Sequence, residues 1–266
     1  MGLRSAQSGN RKPMNPTLTA SELFDAQHGV LRLRWLAGTA GRDRQLEPAT
    51  ARYPGMALVG HLNYVHPNRV QVLGSAEVEY LRRLPPAAHV EAIANLFRCA
   101  TTTMVVVAND EAVDADLIEA ADTTGLPLLA SPLASPKVID HLQHFLTRAL
   151  AMRTTLHGVY LEVMGMGVFI TGEAGIGKSE LALELLSRNH RLIADDSVEF
   201  SRTAPTVLLG RCPRMLCDFL EVRGLGILNA RAMFGDTAVR PEKTLRLIVR
   251  LEQLQAEQMG KIDRLQ

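Results

Sequence analysis

Between Gly172 and Ser179 the chain reads GEAGIGKS, and this octapeptide constrains the fold more than any other stretch. It satisfies G-x-x-x-x-G-K-[ST] in the context the pattern requires, because VFITG before it reads as a strand and SELALELLSR after it as a helix. Glycines let the backbone curl until successive N–H groups face phosphate oxygens, and the helix N-terminus adds partial positive charge. Gly172, Glu173, Ala174, Gly175, Ile176 and Gly177 then form the cradle. Lys178 bridges the outer phosphates, and the Ser179 hydroxyl is a ligand for Mg²⁺. The pattern specifies a nucleotide phosphate and leaves the reaction open, since motors, switches, pumps and kinases share the loop.

Three further features bear on the reaction. HRLIADD ends an apolar strand in Asp195 and Asp196, 17 and 18 residues after Lys178, about the space of one short helix and a turn. That spacing predicts a strand next to the phosphate loop, with both carboxylates at the end where α/β sheets hold ligands. Adjacent strand residues face opposite sides, so the two acids are expected to differ in role, one as proton acceptor and one for metal water or loop orientation. Paired acids also end strands without chemistry, and spacing alone leaves that reading open. His157, 21 residues before Lys178, opens the predicted strand pair leading into the loop. It reads either as a structural histidine or as a partner tuning a carboxylate beside the γ-phosphate. Glu221, in LEVRGLGILN, precedes Arg223 and a tight Gly224/Gly226 turn, and fits a metal-binding acid or a solvent-facing one equally.

The first half alternates short apolar runs (56–61, 69–74, 102–109, 126–131) with helical patterns (76–84, 89–97, 114–125), the last closing on Gly125. Such alternation predicts an α/β layer with mostly parallel strands and no catalytic constellation. The expected division is a disordered tail over 1–16, an N-terminal α/β domain over 17–135, an amphipathic linking helix over 136–152 and a catalytic domain over 153–266. His141 and His144 on the linking helix read as surface histidines, because no cysteine or carboxylate cluster joins them. With 29 basic and 28 acidic residues, composition gives no bulk attraction to nucleic acid or membrane surfaces. No apolar run approaches the roughly 20 residues of a membrane helix, and the polar N-terminus carries no signal peptide. Cys99, Cys212 and Cys217 read as reduced thiols of a cytoplasmic protein rather than a disulfide framework or zinc site.

HGVYLEVMGMGVFITGEAGIGKSELALELLSRNHRLIADDSVE, followed by LEVRGLGILNARAMFGDTAVR, resembles the HPr kinase/phosphorylase family. RYPGMALVGHLNYVHPNRVQVLGSAEVEYL resembles that family's N-terminal domain, so the likeness spans nearly the whole chain after the tail. The resemblance implies an α/β fold whose P-loop kinase domain is similar to the nucleotide core of phosphoenolpyruvate carboxykinase. It implies phosphorylation of a serine on HPr, the phosphocarrier of the bacterial sugar phosphotransferase system, from ATP or pyrophosphate, and removal by phosphorolysis. Carried over by position, Gly172 to Ser179 bind the phosphates, and Ser179 with Glu221 hold Mg²⁺. Asp196 accepts the serine proton and donates it in reverse, while His157, Lys178 and Arg264 in KIDRLQ fill the remaining catalytic positions. The family assembles as a hexamer.

Ala174 stands where the family often has serine, and Asn189 where RGH is usual; asparagine tolerates left-handed backbone, so the turn is expected to survive. The chain ends two residues after Arg264, where the family continues into a segment serving dephosphorylation and packing the last helix. That ending bears on phosphorolysis, hexamer assembly, HPr docking and full kinase activity, and the sequence leaves open whether each is kept. The rival readings are a P-loop ATPase or GTPase, the latter without the [N/T]KxD guanine-reading motif, and a regulator that binds nucleotide without turnover.

Overall fold

The computed structural model describes residues 16–47, 58–213 and 216–253. The expected tail, apart from Pro16, and Arg264 lie outside the described residues. The chain divides at Ala151/Met152 into two compact units.

The first unit opens with β1 (Leu18–Thr19), α1 (Ala20–Leu31), β2 (Arg34–Ala37) and β3 (Gln45–Leu46). β4 (Val59–His61), β5 (Val70–Leu73), α2 (Ser75–Arg83), α3 (Pro86–Arg98), β6 (Met104–Val107), α4 (Ala115–Thr124), β7 (Leu128–Ala130) and α5 (Ser135–Ala149) follow. Its five-stranded sheet has the order β2-β7-β6-β5-β4, parallel except for the antiparallel edge strand β2. Alternate residues of the buried strands feed two cores. Val70, Val72, Met104, Val106 and Leu129 pack with α1 and α5, whereas Leu73, Val105, Val107 and Leu128 pack with α2, α3 and α4. A strand covered on both faces reads as a continuous apolar run, which is why these strands are visible in the sequence. α4 ends on Gly125 in the left-handed conformation, as its pattern predicts. The helix expected as a bridge is α5, and Val138, Leu142, Leu146 and Leu150 bury it in the first unit's own core.

The second unit contains β8 (Met152–His157), β9 (Val159–Val163), β10 (Met166–Gly172), α6 (Lys178–Ser187), β11 (Arg191–Ala194), β12 (Ser197–Ala204) and β13 (Val207–Arg211). β14 (Phe219–Val222), β15 (Gly226–Asn229), α7 (Ala230–Phe234) and β16 (Glu242–Leu251) complete it. Seven strands run in the order β11-β9-β10-β16-β13-β12-β8. Only Gly158 separates β8 from β9, and only Asp195 and Asp196 separate β11 from β12. Because β8 pairs with β12 and β9 with β11, the two chain segments run antiparallel past a shared corner and bring the ends of the sheet together. Tyr160, Phe169, Ile193, Val198, Phe200 and Cys212 fill the enclosed core. The Phe200 ring meets Tyr160 and Phe169 edge-on at centroid distances of 5.3 and 5.1 Å. Burying each such ring contributes about 2 kcal/mol of transfer free energy. The Tyr160 hydroxyl keeps its bond by donating to the Lys243 carbonyl at 2.8 Å. On the opposite face of β9 and β10, α6 and the β14–β15 hairpin form a second core through Leu161, Ile170, Ala182, Leu186, Leu220 and Val222.

Two sequence expectations need correction. β11 is not the neighbour of the loop strand β10, because β9 lies between them and pairs antiparallel with both. β10 and β11 still point the same way, so the acid pair and the loop emerge on one edge. His157 likewise ends the separate strand β8 rather than opening the β9–β10 pair. No helix among the described residues is long and apolar enough to cross a membrane.

Candidate active site

The phosphate loop joins the C-terminal end of β10 to α6 as the motif predicts. Gly177 takes φ 100° at the N-cap of α6, a conformation that strains any residue with a Cβ, and no side chain caps the helix. The first main-chain bond closing α6 is Leu181 N–H to the Gly177 carbonyl at 3.0 Å, so the amides of Lys178, Ser179 and Glu180 have no helical acceptor, while the Ile176 N–H donates to the Glu173 carbonyl at 3.4 Å. Gly172 has a different reason to be glycine: a Cβ there would lie 2.6 Å from the Leu251 carbonyl oxygen of β16. Lys178 is 7% exposed, and its Nζ donates to the carbonyls of Glu173 at 2.8 Å and Gly172 at 3.2 Å. The loop's own oxygens thus hold the ammonium at the rim of the cradle.

Asp195 and Asp196 lie in the corner between β11 and β12 rather than on the strand, and they differ sharply in burial. Asp195 is 6% exposed; its Oδ1 accepts from the Ser179 hydroxyl at 3.3 Å and its Oδ2 from the Glu221 N–H at 2.8 Å. It ties α6 to β14. Burial, above all, pushes its carboxyl above the usual range, with the Asp196 charge adding, against the bonds from Glu221, Asp196 and Ser179 that favour the ion. The Asp196 side chain is 67% exposed, its backbone is left-handed at φ 66°, and its Oδ1 lies 3.3 Å from His157 Nδ1. The corner that closes the sheet creates this pair, since Ser197 opposes His157 in the β8–β12 register and Gly158 N–H donates to the Asp196 carbonyl at 3.3 Å. A non-glycine residue held left-handed at a cleft is strain of the kind that collects at working sites. Asn189 is also left-handed, at φ 66°, and makes the turn expected of it.

Lys178, Ser179, Asp195, Glu221, His157 and Asp196 all line one cleft of about 490 Å³. Arg223 also lines it, has no ion-pair partner among the described residues, and lies close to Gly175. Its basic charge beside the acid signature was legible in the sequence; its place in the cleft was not. Nor was the contact of Asp195 with Ser179 and with the amide of Glu221, since no local pattern signals a bond to a residue 26 positions away. Ser179, Asp195 and Glu221 offer hard oxygen donors only, which suits Mg²⁺ and not a nitrogen- or sulfur-seeking metal. His141 lies outside any such cluster and pairs with Gln27 at 2.8 Å. The arrangement provides phosphate donors, a cation, metal-type oxygens and an exposed carboxylate–imidazole pair able to take a proton.

Residues 18–146 match the family description "HPr Serine kinase N terminus", and residues 148–266 match "HPr Serine kinase C-terminal domain". The chain is 50% identical over 238 residues to the HPr kinase/phosphorylase of Xylella fastidiosa strain M12, covering 90% of this chain and 75% of that protein. It is 49% identical over 250 residues to the HPr kinase/phosphorylase of Chromobacterium violaceum, covering 94% and 78%. A solved structure, the Hpr(Ser) kinase/phosphatase from Coxiella burnetii, is 37% identical, covers 40% of this chain and 68% of its own, and aligns with a TM-score of 0.37.

Proposed function

The chain belongs to the HPr serine kinase family, and we propose that it is a bifunctional enzyme that phosphorylates a serine of an HPr-type phosphocarrier protein and removes the phosphate by phosphorolysis. Family membership carries nucleotide use; ATP, or pyrophosphate, is the proposed phosphoryl donor and Mg²⁺ the proposed metal. The observation that carries the reaction type is the exposed Asp196 carboxylate 3.3 Å from His157 Nδ1, on the same cleft as the uncapped N-terminus of α6. A nucleotide hydrolase needs only to position water. A carboxylate projecting from the cleft edge suits a proton carried in on a protein hydroxyl.

In the forward direction the uncapped amides at the start of α6 and the Lys178 ammonium hold the donor's phosphates in line. Asp196 takes the proton of the incoming serine as its oxygen bonds to phosphorus and the bond to the donor's bridging oxygen breaks. His157, with Nδ1 as donor, fixes the orientation of that carboxylate. In reverse, an oxygen of inorganic phosphate attacks the seryl phosphorus, the serine–phosphorus bond breaks, Asp196 returns the proton to the serine oxygen, and pyrophosphate leaves. Ser179 and Glu221 would hold Mg²⁺, whose charge would offset that of the phosphates, and Asp195 keeps the two in register. Arg223 lies where it would meet phosphate charge, and Arg264 completes the catalytic set carried over from the family. The same reading makes the protein a cytoplasmic homo-oligomer, hexameric as the family is.

Incubation with Mg-ATP and an HPr-type phosphocarrier tests the proposal. Phosphate on a serine of the carrier is the expected result. Phosphate release without carrier labelling would make the protein a nucleotide hydrolase, and binding without either product a nucleotide-sensing regulator.

A further inference from the structure

Cys212 and Cys217 flank the connection between β13 and β14. Cys212 is buried in the enclosed core, and the half-buried Cys217 packs against that same cluster. Both thiols donate to one oxygen, the Pro213 carbonyl, each at 3.4 Å. Two sulfurs on one acceptor oxygen, in one packed cluster, are placed to be drawn into disulfide geometry. Cys99, the remaining cysteine, belongs to the first unit and bonds to Thr101.

A cross-link there would be felt in the cleft. Asp218, next to Cys217, anchors the entry to β14, since its carbonyl accepts from Ala230 N–H at 2.8 Å and its carboxylate from Arg231 Nε at 2.7 Å. β14 then presents the Glu221 amide to Asp195 at 2.8 Å. We propose that Cys212 and Cys217 form a reversible disulfide that draws β14 away from Asp195 and slows phosphoryl transfer.

The oxidant is a small-molecule disulfide of the glutathione class. The Cys217 thiolate attacks one of its sulfurs, expelling one glutathione thiolate and leaving a mixed disulfide. Cys212 then gives up its proton and attacks the Cys217 sulfur, expelling the second. Two protein thiols become one disulfide, and the two electrons leave on two glutathione thiols that take up the protons. Burial, chiefly, together with Cys217, Asp218 and Asp195, pushes the Cys212 thiol up to about 12, which assigns the first attack to Cys217 and the slower second step to Cys212.

Only the rate readout rests on the proposed activity; the chemical readout does not. Trypsin cuts after Arg211, Arg214 and Arg223, which separates CPR from MLCDFLEVR. After the reduced full chain is treated with oxidised glutathione, those two peptides should travel as one species lighter by two hydrogens, and dithiothreitol should part them. Serine phosphorylation should fall roughly 10- to 100-fold in the oxidised protein and recover on reduction, as expected for a displacement of about 1 Å at a positioned group. Cys217→Ser and Cys212→Ala should retain the reduced rate under both conditions. Peptides that stay separate, a glutathione that persists on Cys217, or a joined pair with an unchanged rate would each overturn the proposal.

Discussion

Helix α5 of the first unit and helix α6 of the second both begin where a parallel strand ends, β7 and β10 respectively. At α5 the Ser135 N–H donates to Asn109 Oδ1 at 2.7 Å, and the other end of the same amide donates to Ser75 Oγ, at the start of α2, at 2.8 Å. Glu77 takes the Gly74 N–H at 2.9 Å, and a Cβ on Gly74 would lie 2.6 Å from Ser135 Oγ, so this edge is filled by its own side chains. At α6 no side chain caps the helix, and its first-turn amides are left without a helical acceptor beside the cleft. The edge of an α/β sheet is therefore not a site merely by its topology. It becomes one where helix-terminal donors are left for a ligand to satisfy.

That contrast is open to direct attack. Of the changes aimed at this contrast, the largest effect is expected from giving α6 a side-chain acceptor, as Asn109 and Glu77 serve α5 and α2 in the first unit. Gly177→Asp puts a carboxylate, on a backbone unsuited to it, where phosphate would sit, and should weaken Mg-ATP binding by roughly a hundredfold or more in titration calorimetry. Affinity within a few-fold of wild type would remove the N-terminus of α6 from the binding site. His157→Ala should lower serine phosphorylation about 10- to 100-fold while nucleotide affinity holds, if the imidazole 3.3 Å from Asp196 has the proposed role of orienting the proton acceptor and not the donor phosphates. An equal loss in both would make His157 a binding residue.

On the filled side, Asn109→Ala should cost about 1–3 kcal/mol of unfolding free energy, measured in urea, by stranding the Ser135 amide, with nucleotide affinity unchanged. The smallest effect concerns Asp195. Its folded carboxyl lies above the ordinary value, so the stability tied to it is present below the unfolded value of about 3.9 and is lost as pH rises through the folded one. The melting temperature of ligand-free Asp195→Asn minus that of wild type should accordingly increase as pH rises from 4 to 7. A difference that shrinks over that range would contradict the assigned burial.

The legible parts of this molecule are those encoded within one or two turns of chain. The octapeptide announces itself because every residue of it acts locally, and β5, β6 and β7 show as apolar runs because both faces are covered. Thr19 and Glu22 close a capping box at the start of α1, Glu22 N–H to Thr19 Oγ1 at 3.1 Å and Thr19 N–H to Glu22 Oε2 at 2.8 Å. That T-x-x-E signal marks the start of α1 within the sequence itself. β8 was harder, since MRTTLH is a largely exposed edge strand with no alternation. Its pairing with β12, which creates the His157–Asp196 contact, depends on closing a sheet across some 40 residues of sequence, and no periodicity reports such a closure. The order β11-β9-β10 was hidden for the same reason. Residue spacing gives the length of a connection but not which strand slips between.

The central claim is that Asp196, beside His157, is the group that exchanges a proton with a protein serine. Phosphate on the carrier's serine, followed in both directions with Asp196→Asn alongside Mg-ATP titration of the same variant, tests it most directly. Transfer and phosphorolysis are each expected to fall by about 10²- to 10⁴-fold, with nucleotide affinity within a few-fold of wild type. Near-wild-type transfer in either direction would contradict it.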